Sequence, residues 1–256
     1  MIVKTEAIVL RTMKYRETSK IVTLFTRKYG KLSVVAKGAR DRKLRFGSAL
    51  DSLNYVHAVL YKKEGRDLHL LSQCDVVRQF ARLSQDLDRM GVGMAILELV
   101  QSVAHAEEES SVLFRAILDA LTIMNDTTVD ASGVLLHFEL KLLEILGFRP
   151  DLSRCSSCKG PLEFRSRGTK SEDFRSSPGG IVCPLCLAKH RGSAEVSREV
   201  VSLLRVLQET TVSRVMEMNL TPSLCEEGKK ILWYYFKCHV EGIRPLRSEA
   251  VFSAVA

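Results

Sequence analysis

Four cysteines in two matched pairs carry the clearest chemistry in this sequence. Cys155 and Cys158 form one Cys-x-x-Cys step and Cys183 and Cys186 a second, with 24 residues between them. A two-residue spacer lets a tight turn aim two sulfurs at one point, so two such steps can close a tetrahedral thiolate shell around Zn²⁺. Gly160 and Pro161 follow the first pair, while Pro178, Gly179 and Gly180 precede the second, as turn-forming knuckles require. With cysteine at all four positions no ligand place remains for water, and a closed shell of this kind is structural rather than catalytic. A thiol redox pair is the competing use of one Cys-x-x-Cys step, but the doubling of the step favours a metal. The remaining three of the seven cysteines, Cys74, Cys225 and Cys238, sit among apolar neighbours. Free thiols beside a metal-type spacing point to a reducing cytoplasm.

Cations form the second chemical feature. The chain of 256 residues has a formal net charge of +8, and the excess is localised. Residues 1–80 hold 17 Lys and Arg against 7 Asp and Glu, whereas residues 81–150 hold 5 against 11. Such a basic first third implies a polyanionic partner, most simply nucleic acid. The candidate contacts are Lys14, Arg16 and Lys20 around the first turn, and Lys37, Arg40, Arg42, Lys43 and Arg45 after the third strand. Lys and Arg neutralise phosphates and release counterions, which gives affinity without sequence preference. Phe46, Tyr15 and Tyr29 lie among these charges and are candidates for stacking on bases, with a place in the core as the competing role.

Enzymatic constellations are missing. There is no Walker loop, no G-x-S-x-G elbow and no H-E-x-x-H. His137-Phe138-Glu139 with a later Cys-x-x-Cys superficially resembles a zinc deaminase, but Val182 rather than proline precedes Cys183 and a second cysteine pair is available. His57 and His69 are expected in strands, His105 and His239 in helices, all in structural roles. No run of about 18 apolar residues predicts a transmembrane helix, and the first residues lack the pattern of a secretory signal.

The elements that must position these groups follow from periodicity. Five segments rich in Val, Ile, Leu, Thr and Tyr are expected as strands: Thr5–Thr12, Lys20–Thr26, Lys31–Lys37, Leu53–Lys62 and Asp67–Gln73. Five strands in so short a segment suit a small barrel of OB or SH3-like type, and strand reading does not separate the two. From about Leu83 the apolar period becomes helical, through Val112–Met124 and Leu135–Leu146, and resumes over Ser197–Thr210 and Pro222–Glu241. The polar stretch Arg165–Ser177 reads as a loop between knuckles. The expected class is α+β: a five-stranded OB-fold barrel over 1–80, a helical domain over 81–150 and 196–256, and a four-cysteine zinc module over 151–195.

Several runs together resemble the RecO family of bacterial recombination mediators. They are Ala7-Ile-Val-Leu10, Tyr15, Glu17, Ser19 to Val22, Leu24-Phe-Thr26, Gly30-Lys31 and Ala36-Lys-Gly-Ala-Arg40 in the first third. Leu146-Gly-Phe-Arg-Pro-Asp-Leu152, Gly179-Gly180 and Gly242-Ile-Arg-Pro-Leu-Arg-Ser248 follow in the same order as in that family. The resemblance implies binding of single- and double-stranded DNA, annealing of complementary strands and help in loading RecA onto coated DNA. It implies partnership with RecR and with the C-terminal tail of single-stranded DNA-binding protein, in a nucleoid-associated, cytoplasmic setting. The zinc ligands carry over to Cys155, Cys158, Cys183 and Cys186. Lys159 departs from the family pattern, where glycine is common, and the Arg42-Lys-Leu-Arg45 loop stands where a serine is more usual. The Lys229-Lys230 pair and Trp233 are candidates for the tail. An RNA-binding zinc-ribbon adaptor is the alternative function.

Overall fold

A computed structural model describes residues 1–40, 46–63, 65–106, 108–126, 131–162, 174–177, 180–183, 185–186, 195–215, 217–218 and 220–248. The chain forms two units, one of Met1–Asp126 with Pro245–Ala256, the other of Thr127–Arg244.

The first unit is built on five strands: β1 (Ile2–Tyr15), β2 (Ser19–Thr26), β3 (Gly30–Ala36), β4 (Tyr55–Tyr61) and β5 (Leu68–Arg78). In the first half of β1, Val3, Thr5 and Ala7 turn inward while Ile2 and Lys4 face out, the period-two alternation of a half-buried strand. A bulge at Leu10 shifts the pairing with β2 from Val9↔Leu24 to Arg11↔Thr23, which bends the strand and lets it run 14 residues around the barrel. The sheet closes in the order β1-β2-β3-β5-β4, with β4 returning to β1. Every ladder is antiparallel except β3 with β5, which pair in parallel through Ser33↔Leu68 and Val35↔Leu70. That parallel closure is the five-stranded Greek-key barrel of the OB-fold, which resolves the choice left open by strand reading.

Inward residues of all five strands, Val22, Leu24, Val34, Val56 and Leu60 among them, make the barrel core. Phe46, Ala49 and Leu50, from the segment between β3 and β4, belong to the same cluster. Thr12 Oγ1 donates to the Leu50 carbonyl at 2.5 Å, fixing that segment to β1. Burial of Phe46 removes it from the candidate base-stacking residues, and Tyr29 also packs against this core.

Helices α1 (Ala81–Gln85), α2 (Leu87–Val103) and α3 (Ser111–Asp126) complete the first unit. Asp86 caps α2 by accepting from the Arg89 backbone N–H at 3.1 Å, and the buried Arg89 side chain donates to the Met124 carbonyl on α3. Phe114 of α3 lies over the outside of the barrel, its ring centroid 6.4 Å from Phe25 and 6.1 Å from Tyr55. The tail of the chain returns to α2: the backbone N–H groups of Arg247 and Ser248 donate to the Glu98 carboxylate at 2.7 and 3.3 Å. His105 lies in the connection after α2, not within a helix as periodicity suggested.

In the second unit, α4 (Ser132–Ile145), α5 (Arg198–Glu209), α6 (Val212–Val215) and α7 (Pro222–His239) pack with a small sheet. Ser197 caps α5, and both its N–H and hydroxyl donate to Glu227 of α7 at 2.6 and 2.8 Å. Gly228 allows α7 close to α4, since a Cβ there would lie 3.1 Å from Leu136. The sheet holds β6 (Phe174–Ser177), β7 (Gly180–Val182) and β8 (Glu195–Val196) in the order β7-β6-β8. Residues 174–177 are therefore a strand, where a loop was expected through Ser177: antiparallel ladders to both neighbours take up backbone groups that polarity alone assigned to solvent. Among the described residues no helix is long and apolar enough to cross a membrane.

Candidate metal centre and nucleic-acid interface

The cysteines meet because local backbone chemistry builds each knuckle. Asp151 Oδ1 accepts from the N–H groups of Ser153 and Arg154 at 2.9 and 3.0 Å, turning the chain into the first step. Cys155 then exchanges with Gly160, its N–H donating to that carbonyl at 2.8 Å, and Lys159 N–H returns to the Cys155 carbonyl at 2.9 Å. Lys159 holds φ at +60°, the left-handed geometry that glycine takes without strain. In the second step Cys186 N–H donates to the Cys183 carbonyl at 3.0 Å, and Ser156 N–H reaches the Ile181 carbonyl of β7 at 2.8 Å. One knuckle is thereby tied to the strand that carries the other.

The result is a cluster of four Sγ atoms, all within 4.8 Å of one another. Cys158 and Cys183 have sulfurs 3.9 Å apart. A tetrahedral zinc–thiolate centre with bonds of about 2.3 Å requires sulfur separations of about 3.8 Å. Cys155 and Cys186 are buried, Cys183 is half-buried and Cys158 exposed. Burial pushes the Cys155 thiol up, but backbone donors led by the Cys183 N–H outweigh it and bring the group down to about 6. Burial and the shared hydrogen bond with Cys155 raise Cys183 to about 12. Backbone donors favour the thiolate form at Cys155, and a bound divalent cation would favour it at all four sulfurs. The donor set and spacing fit a structural metal ion.

The cations gather on the barrel. β1 and β2 pair Lys14 directly with Lys20, and Lys20 also pairs with Ala36, the residue before Lys37. Arg16 opens the β1–β2 turn with φ at +53°, its guanidinium 5.2 Å from the Tyr15 ring centroid. Arg40 is tied to the same turn. Its backbone N–H donates to the Thr18 carbonyl at 2.9 Å, and Nη1 donates to the carbonyls of Arg16 and Glu17 at 3.3 and 2.9 Å. The structure thus brings Lys14, Arg16, Lys20, Lys37 and Arg40 to one corner of the barrel, with Arg40 holding the turn in place. Arg42, Lys43 and Arg45 lie outside the described residues.

Like charges placed directly opposite each other in a ladder are destabilising, so the Lys14–Lys20 pair costs stability unless an anion is held there. A second basic loop went unnoticed in the sequence. Lys62, Lys63 and Arg66 lie between β4 and β5. Only the barrel topology makes it informative, because in OB-folds the β1–β2 and β4–β5 loops flank the oligonucleotide-binding face. Lys62 Nζ lies 5.7 Å from the Tyr29 ring centroid, while Lys63 and Arg66 are exposed. On α7, Trp233 and Lys229 are half-buried, and Lys230 lies 3.8 Å from Glu226.

Comparison with known proteins covers both units. Residues 1–80 match the family model described as Recombination protein O N terminal, and residues 84–250 the one described as Recombination protein O C terminal. Over 243 residues the chain is 31% identical to the DNA repair protein RecO of Alkaliphilus metalliredigens, spanning 95% of this chain and 96% of that relative. The RecO of Caldanaerobacter subterraneus is 32% identical over 93% of both chains. That of Chlorobaculum parvum is 42% identical over 186 residues, 72% of each.

Proposed function

This chain belongs to the RecO family, and from that premise we propose that it is a non-enzymatic mediator of recombination repair. It binds single- and double-stranded DNA on the barrel, anneals complementary strands, and helps load RecA onto DNA coated by single-stranded DNA-binding protein. The observation that carries the reading is the Lys14–Lys20 pair facing each other in the ladder of an OB-fold barrel, beside Arg16 and Lys37. Two strands can be brought together only if phosphate repulsion is screened, and such a corner does this without an active-site residue. RecR and the C-terminal tail of single-stranded DNA-binding protein are the proposed partners, and the bacterial nucleoid the proposed setting. Cys155, Cys158, Cys183 and Cys186 hold a structural Zn²⁺ in this reading.

The test is annealing of complementary oligonucleotides coated with single-stranded DNA-binding protein, without nucleotide triphosphate. Acceleration of at least about tenfold, with the chain in stoichiometric amounts, is expected. No acceleration by folded, zinc-loaded protein would contradict the mediator reading and favour an RNA-binding adaptor.

A further inference from the structure

The four sulfurs of the cysteine cluster differ in one respect that bears on reactivity. Cys155 and Cys186 are buried and Cys183 is half-buried, but Cys158 is exposed. Its neighbours Ser157 and Lys159 are exposed as well, so the tip of the first knuckle stands open to solvent. Gly160 adds no side chain to cover it, since a Cβ there would lie 3.4 Å from the Cys158 Sγ. Lys159, next in sequence, supplies a cation, and an open, electropositive setting is where cysteines react. Coordination to a metal would hold all four as thiolates, so access rather than ionisation decides which is attacked first.

A second sulfur stands within reach. Cys183 Sγ lies 3.9 Å from Cys158 Sγ, across the gap between the two knuckles. Closing to a disulfide bond of about 2.05 Å asks each sulfur to move by about 1 Å. The Ser156 N–H, donating to the Ile181 carbonyl at 2.8 Å, holds the knuckles at that separation. Cys155 is the less accessible partner, being buried with its Sγ accepting the Cys183 N–H at 3.3 Å.

We propose that Cys158 is the oxidant-reactive site of this chain and Cys183 its resolving thiol, so that a peroxide converts the metal centre into a disulfide between the knuckles and releases the metal. The proposal rests on the structural-zinc reading above. The Cys158 sulfur attacks a peroxide oxygen: an S–O bond forms, the O–O bond breaks and hydroxide leaves, giving a sulfenic acid. The Cys183 thiolate then attacks that sulfur: the S–S bond forms, the S–O bond breaks and a second hydroxide leaves. The two cysteines together lose two electrons and the peroxide gains them. Only Cys155 and Cys186 remain as ligands, where a structural site needs four. Oxidation is thereby confined to the second unit, because the cysteine of the barrel, Cys74, is buried. A dithiol reductant reverses the change and restores the site.

The test treats the full zinc-loaded chain with hydrogen peroxide and follows zinc release with a chromophoric chelator. Peptide mass spectrometry after alkylation then maps the disulfides. Cys158→His keeps a zinc-ligating side chain without an oxidisable sulfur, and Cys238→Ser removes the other exposed thiol, which lies outside the cluster. The parent should release its zinc with a Cys158–Cys183 disulfide and take zinc up again after reduction. Release should be at least about tenfold slower in Cys158→His and within about twofold of the parent in Cys238→Ser. A disulfide within one knuckle, zinc retained under peroxide, or parent-like release from Cys158→His would overturn the proposal. Should Cys158→His fail to load zinc, the disulfide map of the parent decides alone. A parent purified under reducing conditions without zinc would instead overturn the metal reading, and that result appears before any peroxide is added.

Discussion

Single residues in this chain are held in conformations that their side chains disfavour. Lys159 sits at φ +60° in the first knuckle, where a β-carbon costs roughly 1–2 kcal/mol relative to the right-handed region. The knuckle demands that geometry because Cys155 N–H must reach the Gly160 carbonyl while Lys159 N–H turns back to Cys155. Replacing Lys159 by glycine should stabilise the metal-loaded second unit by about 0.5–1 kcal/mol, after glycine's greater unfolded-chain entropy is counted. Denaturant unfolding of parent and variant checks this, and a less stable variant would mean that the lysine side chain contributes something the backbone geometry does not. The departure from glycine was legible in the sequence, but its cost was not, because spacing says nothing about φ. Arg40 shows the same limit. Its charge made it a candidate phosphate contact, whereas its hydrogen bonds to the Arg16 and Glu17 carbonyls make it a positioning residue for the β1–β2 turn.

At the scale of elements, the legible parts were those with strong local periodicity. All five barrel strands and the five longer helices α2, α3, α4, α5 and α7 lie where alternation and helical spacing put them. The ends of β1 and β5 did not, since β1 begins at Ile2 and runs to Tyr15, and β5 runs on to Arg78. Those extensions depend on pairing with distant strands and on the Leu10 bulge, which no local window contains. The three-stranded sheet of the cysteine module was missed for the same reason. Its strands are two to four residues long and polar in part, so they exist only through mutual pairing and the two knuckles that frame them. Removing the metal should therefore dissolve this module before the barrel. With a strong chelator, or in Cys158→Ser, hydrogen exchange over 151–162 and 174–186 should rise by the equivalent of several kcal/mol on the order of a structural zinc site, while β1–β5 stay protected. Equal protection with and without metal would contradict the structural role.

Taken as a whole molecule, the chain separates its tasks. The basic excess lies in the OB-fold barrel, and the metal-type cysteines lie in the second unit. Net charge per segment made that division visible in the sequence, and the parallel β3–β5 closure turned a generic small barrel into a specific one. The role of the β4–β5 loop was invisible beforehand, since it is not contiguous in sequence with the first basic corner and only the barrel topology relates the two. The central claim is that the corner around Lys14 and Lys20 binds phosphates. Changing both to glutamine removes two like charges placed opposite each other, so thermal stability should hold or rise. The measurement is the salt dependence of single-stranded DNA affinity for the parent chain and for this double variant. The account predicts weaker binding and a log–log slope shallower by about 1.4, at roughly 0.7 for each phosphate no longer neutralised. An equally steep slope with unchanged affinity, in a variant that is folded, would contradict it.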